Sequence, residues 1–495
     1  MVWSEEESRV VEFQRLWDEP LWVDPETDEG KQVLERTAEL AWKQLQFTND
    51  TRLTIVAKEG TQRQSTYTEA RYPKLTPKTL RAFLSYAIGN GYQLHHVELG
   101  DVTDELPDLD IKMFVRPLPN DPILSEQPRP GLVPVYKLEK AIPGLHQSPR
   151  IWYEKLDEVL GDNAWLSSEE APSTFTCNRY DENTLPVVAD GDHLIAAEKD
   201  EGQYERFKGV LDYAFDNEDV GPPTRLLDIN IACDDDEIHL SDEIKVASLV
   251  KQYNINCDEG PTVDEPIPAN FDWSQLRNKA ELLAEMSAEE IAEGKQWVQS
   301  RLASLKALAN STRFDLNEVV ARLEAYQEYP HPRIQKLVQQ VLLYVAQHPE
   351  NGIDMGSKQE DKKTITCNVS TTQNPSGKSV SFVVSTTGNI EWGCQIVGEY
   401  EREIDVQVAV LFAGLTEVLH LRKVWHFLEH NNDEEVELTD DVAVIVDKQE
   451  LFDCVWHNNY KSSSSELVEK FQFIQENLNQ KEWQFATASE QAAFN

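Results

Sequence analysis

Basic residues are scarce in this chain. Lys and Arg number 46 against 88 Asp and Glu, a formal net charge of −42 over 495 residues. A protein that grips a duplex displaces counterions with rows of Lys and Arg. This balance argues against strong nucleic-acid binding and favours basic proteins as partners. Closely paired cysteines are also missing: Cys177, Cys233, Cys257, Cys367, Cys394 and Cys454 are widely spaced, with no C-x-x-C. Such spacing excludes a zinc ribbon or disulfide scaffold and fits free thiols in a reducing compartment. Long apolar runs are absent too, the longest being Val408 to Leu415, too short to cross a bilayer. The acidic start, MVWSEEES, lacks the pattern of a signal or transit peptide. The expectation is an intracellular protein, nuclear or cytoplasmic.

What is present is enough apolar sequence, 40% with 12 Trp, for two or three domains with proper cores. The chain is organised around residues 133–197. A Pro/Gly turn (Ala141 to Gln147) feeds a helix started by Pro149, with Trp152, Leu156 and Leu160 on one face. Two apolar runs then flank Asp190-Gly191-Asp192, a hairpin signal. A hairpin with carboxylates at its tip beside a buried helix is the arrangement with which a polymerase palm holds divalent metal.

The segment GLHQSPRIWYEKLD (144–157) resembles the G-L-K-Q-A-P-R-x-W-Y-x-K-L-D signature of copia-type retrotransposon reverse transcriptases. The resemblance extends over about residues 50 to 495. It implies an α+β fold with reverse-transcriptase fingers, palm and thumb, a helical connection, and a C-terminal ribonuclease H-like α/β domain. The expected boundaries are 1–257 for the reverse-transcriptase-like part, 258–355 for the linker and connection, and 356–495 for the ribonuclease H-like domain. Residues 1–45 read as helix, turn, helix. Thr76-Pro77 starts a helix that Gly89 and Gly91 end, and Tyr92 to Leu99 is a strand.

The resemblance also marks departures. The family's Tyr-Val-Asp-Asp hairpin is Ala189-Asp190-Gly191-Asp192 here, so Asp192 keeps an aspartate, Gly191 replaces one, and Asp190 stands one place early. The first palm aspartate is placed at Val97 in LHHVELGDV, with Glu98 on the opposite strand face and Asp101 in the following turn. An arginine expected near the triphosphate falls at Thr54. Lys58, Gln147 and Arg150 match positions that would meet a nucleotide. In the ribonuclease H-like part the catalytic positions fall at Cys367, Gln407 and Asp447, and only Asp447 keeps its carboxylate. Asp228 stands where the family has a glycine in Y-F-L-G-I-E-I.

Two-metal catalysis needs several carboxylates converging on the ions. The expectation is therefore a catalytically degenerate, transposon-derived protein, relic or retained for binding, with no cofactor. The rival is an active RNA-directed DNA polymerase using Mg²⁺ held by Glu98 or Asp101 with Asp190 and Asp192. His426-Phe-Leu-Glu429-His430 matches H-x-x-E-H but reads as helix packing rather than a zinc site. His95-His96 reads as a strand pair pointing to opposite faces rather than a metal site, and Asp234 to Glu237 as a solvated turn rather than a cation site.

Overall fold

The computed structural model describes residues 20–46, 51–58, 60–63, 70–100, 108–118, 129–177, 184–199, 202–234, 237–256, 262–268, 271–276, 283–284, 286–356, 364–374, 377–398, 401–431, 442–478 and 483–491. It divides into two compact units, 1–74 with 94–222, and 75–93 with 223–495.

The first unit begins with β1 (Leu21–Val23), α1 (Asp28–Glu35), β2 (Thr37–Gln46) and β3 (Thr51–Ala57). The Thr27 hydroxyl accepts from Gly30 N and so caps α1. The first helix expected before residue 45 lies outside the described residues; the second is present only as α1, and from Thr37 the chain is instead β2, which pairs with β3. Its Glu, Lys and Gln are good helix formers, but Ala38 and Leu40 alternate into the core, and that burial overrides local propensity. After α2 (Pro77–Asn90), which belongs to the second unit, come β4 (Gln93–Leu99), β5 (Asp108–Arg116) and β6 (Val133–Lys140). One sheet runs β1-β6-β5-β2-β3 around Ile55, Met113, Val115, Tyr136 and Leu138.

The chain continues through α3 (Ser148–Asp162), β7 (Leu166–Ser167), β8 (Thr174–Thr176), β9 (Val187–Asp190), β10 (His193–Glu198), α4 (Gln203–Ala214) and β11 (Asn217–Gly221). The second sheet runs β11-β4-β10-β9-β8-β7. Leu156, Leu160, Phe207 and Leu211 of α3 and α4 pack with Val97, Val187, Leu194 and Ala196 of the sheet. This is the layout expected of a palm.

In the second unit β12 (Arg225–Leu226), β13 (Ile229–Cys233) and β14 (Glu237–Ser241) are followed by α5 (Glu243–Tyr253). Three helices come next: α6 (Ala288–Ala309), opened by a Ser287/Glu290 capping box, α7 (Asn317–Glu324) and α8 (Pro332–Gln347). Leu302, Leu305, Val338, Val341 and Leu342 fill their core. Then β15 (Gly352–Gly356) pairs with β14. Neither boundary drawn from sequence, 257/258 or 355/356, separates these units: both fall inside the second, and β15 straddles one of them.

The remaining strands are β16 (Ile365–Asn374), β17 (Gly377–Ser385), β18 (Asn389–Ile396), β19 (Val442–Val446) and β20 (Trp483–Thr487), in the order β18-β17-β16-β19-β20. The first three are antiparallel, whereas β19 runs parallel to β16 and to β20. Between β18 and β19 lies α9 (Glu403–His430); α10 (Gln449–Trp456) and α11 (Ser465–Leu478) follow β19. By length and composition α9 could cross a membrane. Here it packs on β16, β17 and α11, with Gln407 and Arg422 buried among its apolar residues.

Candidate palm site

The hairpin is set by its turn. Asp190 pairs with His193, leaving Gly191-Asp192 as a two-residue loop. Gly191 has φ +60, so glycine stands at the first central position, as in a II′ turn. The backbone conformation therefore accounts for the glycine where the family has an aspartate. Trp152 Nε1 of α3 donates to Gly191 O at 2.7 Å, and Leu99 N donates to Asp192 O at 2.8 Å. These bonds tie the hairpin to α3 and β4.

The pleat then decides which residues meet it. Val97 and Leu99 point into the core shared with α3 and α4. His96 and Glu98 point to the other face, as the alternation of β4 requires. There Glu98 Oε1 lies 3.6 Å from His193 Nδ1, and His96 Nε2 lies 3.2 Å from the same nitrogen. The residue of β4 that meets the hairpin is thus Glu98, not Val97. Counting L-H-Q-x-D along Leu94-His95-His96-Val97-Glu98 gives the same answer, so the signal was in the sequence. Asp190 opposes His193 and so lies on the face of Glu98, contrary to the expectation that it turns away. Burial of Tyr72 and, second to it, the charge of Asp190 raise the Tyr72 phenol above its ordinary value. Asp192 is half-exposed, with Oδ1 3.8 Å from His193 Nε2. Asp101 and the side chain of Thr54 lie outside the described part of the chain.

Among the described residues, His96, Glu98 and His193 are the one group of three or more possible metal ligands that converges. It contains a single carboxylate. His95 and His96 do point to opposite faces. His95 stacks on Tyr204 and pairs with Glu198, whereas His96 joins this cluster.

The turn before α3 is held from β3 and from Gln62. Gly144, at φ +93, approaches so closely that a Cβ would sit 2.1 Å from Ala57 O. Ala57 N donates to Pro143 O at 2.8 Å. Buried Gln147 accepts from Gln62 Nε2, and Gln62 Oε1 accepts from His146 N, both at 2.8 Å. Of the three nucleotide-binding candidates, Gln147 is therefore inside the turn, Lys58 pairs with Glu39 at 3.3 Å, and Arg150 pairs with Glu154 along α3.

In the C-terminal sheet, where the resemblance leads one to expect a ribonuclease H-like domain, Cys367 is fully buried, and burial pushes its thiol up to about 12. The β16 residue that meets the other two positions is Thr371, four residues on. Its N donates to Asp447 Oδ2 at 2.7 Å, and its hydroxyl accepts from Gln407 Nε2 at 3.3 Å. Gln407 also donates to Glu403, itself paired with Lys378. His426 and His430 stack along α9, with His430 Nδ1 bonded to His426 O, and join no ligand cluster among the described residues. Asp234 N donates to Glu237 O, and both residues are exposed; Asp235 and Asp236 lie outside the described residues.

Residues 42–267 match the family model for reverse transcriptase (RNA-dependent DNA polymerase). The chain is 25% identical over 250 residues to the Pol polyprotein from transposon TNT 1-94 of Nicotiana tabacum, covering 49% of this chain and 18% of that protein. It is 24% identical over 309 residues to that from transposon RE1 of Arabidopsis thaliana, covering 60% and 19%. The chain therefore spans about a fifth of the length of these relatives. A foamy viral protease-reverse transcriptase in complex with dsDNA overlaps with TM-score 0.45 at 10% identity, over 93% of this chain and 80% of that one. Ribonuclease H1 from Halobacterium salinarum overlaps with TM-score 0.18 at 13% identity, over 25% of this chain and 85% of that one. Over residues 42–267, somewhat under half of its length, the chain is similar to copia-type reverse transcriptases.

Proposed function

We propose that this copia-type reverse-transcriptase-like chain, of transposon origin, no longer performs two-metal nucleotidyl transfer and persists, where expressed, as an acidic binding protein. The observation that carries this reading is the makeup of the cluster around Glu98: among the described residues, the ligand atoms that converge with it belong to two imidazoles. Magnesium is bound through oxygen ligands and needs negative charge around it. Loss of one member of an interdependent catalytic set costs on the order of 10⁴–10⁶ in rate. In the C-terminal sheet Asp447 accepts from Thr371 N, and Gln407, which donates to the hydroxyl of the same threonine, is an uncharged amide where the resemblance expects a carboxylate. The net charge of −42 points to basic protein partners.

The test is primer extension on a poly-rA template with Mg²⁺ or Mn²⁺. Incorporation should not exceed that of the Asp192→Ala variant. Incorporation that Asp192→Ala or Asp190→Ala abolishes would overturn the reading in favour of an active RNA-directed DNA polymerase. One observation favours that alternative: Asp190 and Glu98 share a face of the sheet.

A further inference from the structure

We propose that His96, Glu98 and His193 bind a single transition-metal ion of the zinc class. The site lies on the same hairpin as the reading above but does not depend on whether nucleotides are polymerised. His96 and Glu98 are alternate residues of β4, and His193 opens the neighbouring strand β10, so the sheet itself holds all three side chains on one face. His96 and Glu98 are each only 4% exposed. The three ligand atoms lie within 4.8 Å of one another, and the edges from His193 Nδ1 to His96 Nε2 and to Glu98 Oε1 are 3.2 and 3.6 Å. Zn–N and Zn–O bonds of about 2.0–2.1 Å at a tetrahedral centre give edges of about 3.3–3.4 Å, between those two values. Two neutral imidazoles and one carboxylate suit zinc, cobalt or iron rather than magnesium, and leave a fourth position for water.

The outer contacts fit as well. A ligating histidine commonly gives its other ring N–H to a carboxylate, which fixes the ring. Here His193 would bind through Nδ1, and its Nε2 faces Asp192 Oδ1 at 3.8 Å. Asp192 would thus position a ligand rather than bind metal itself. Glu98 also stands directly opposite Glu218 of β11, a like-charge pairing that a nearby cation relieves. Without metal, the same atoms would form a hydrogen bond between the two imidazoles, with Glu98 beside it.

The test is titration of the chelator-stripped full chain with Co²⁺, reading the visible bands of tetrahedral cobalt, and then displacement by Zn²⁺, with no primer, template or nucleotide present. One equivalent should bind, resist a large excess of Mg²⁺ and yield to Zn²⁺. Glu98→Gln and His193→Asn should each abolish the bands. Asp192→Asn should weaken binding by about 10- to 100-fold. His95→Gln, on the opposite face, should bind as wild type, and circular dichroism checks that each variant is folded. Two substitutions at separate ligands keep the test decisive if one variant misfolds. Absence of bands in the wild type, or bands that survive both ligand substitutions, would overturn the assignment. Primer extension is a separate readout, so either result here leaves the loss of polymerase activity to be judged by itself.

Discussion

Cys367 lies in the β16 core against Gly414, whose added Cβ would come within 2.7 Å of its sulfur. With the thiol pushed up to about 12 by burial, it should resist alkylation at neutral pH until the chain unfolds, as mass spectrometry of labelled protein would report. Labelling of Cys367 in the native state at the rate seen in denaturant would contradict its burial. His239 behaves differently. Desolvation lowers its pKa, but hydrogen bonds to Asp354 at 2.7 Å and to Glu350 O outweigh it and hold the imidazole above its ordinary value of 6.5. A raised folded pKa contributes stability that is complete below the ordinary value and is lost as pH rises through the folded one. Asp354→Asn should lower the pKa seen by NMR titration and flatten that dependence; an unchanged titration would sink the account.

At this scale the sequence was legible where a residue type forces its surroundings and misleading where alignment had to choose between neighbours. Gly191 and Asp192 were placed correctly in a hairpin turn, because turn chemistry is local. On β4 the motif count and the pleat agree on Glu98 rather than Val97. On β16 the packing of α9 and β19, rather than the local sequence, makes Thr371 the residue that meets Gln407 and Asp447.

Among elements, the β12–β13 hairpin shows what the family glycine is for. Leu227 and Asp228 form a two-residue turn with φ +54 and +55, the pattern of a I′ turn. Glycine there relieves backbone strain more than it admits a ligand. Asp228→Gly should therefore stabilise the chain by roughly 1 kcal/mol, seen as a raised denaturation midpoint. A lower midpoint would show that the aspartate makes a compensating contact. The turn before α3 makes the opposite demand: Gly144→Ala adds both positive-φ strain and a clash with Ala57 O. It should cost about 1–3 kcal/mol for the backbone conformation alone; unchanged stability would contradict the tight approach of that turn to β3.

Helix α2 was correctly delimited from Thr76 to Gly91, because caps are short-range signals. Its allegiance was not legible. Fully buried Arg81 donates to Ile390 O at 2.7 Å and to Asn310 O at 3.0 Å, meets Glu391 at 3.1 Å, and stacks on Trp392. Burial brings its guanidinium down to about 10, still charged at neutral pH. Removing it would leave a mostly buried carboxylate and several carbonyls without their donor. Arg81→Ala should cost about 3–5 kcal/mol in urea unfolding, with Arg81→Lys recovering part of it. A loss below 1 kcal/mol would show that water replaces the guanidinium.

For the molecule as a whole, composition foretold an acidic, core-forming chain, and the helix and strand periods foretold its mixed architecture. The division into units was not foreseeable in this way, since it depends on long-range pairings such as β14 with β15 across more than a hundred residues. At about 0.15 M salt, where charges are screened beyond roughly 8 Å, the chain should give no shift of an RNA–DNA hybrid. A shift that weakens steeply with added salt would reveal a segregated basic channel. The most direct measurement is anomalous diffraction from crystals soaked in Mn²⁺ and a deoxynucleoside triphosphate. The account predicts no pair of manganese peaks at the palm hairpin. Two peaks about 3.5–4 Å apart, bridged by Glu98, Asp190 or Asp192, would be the two-metal centre it denies.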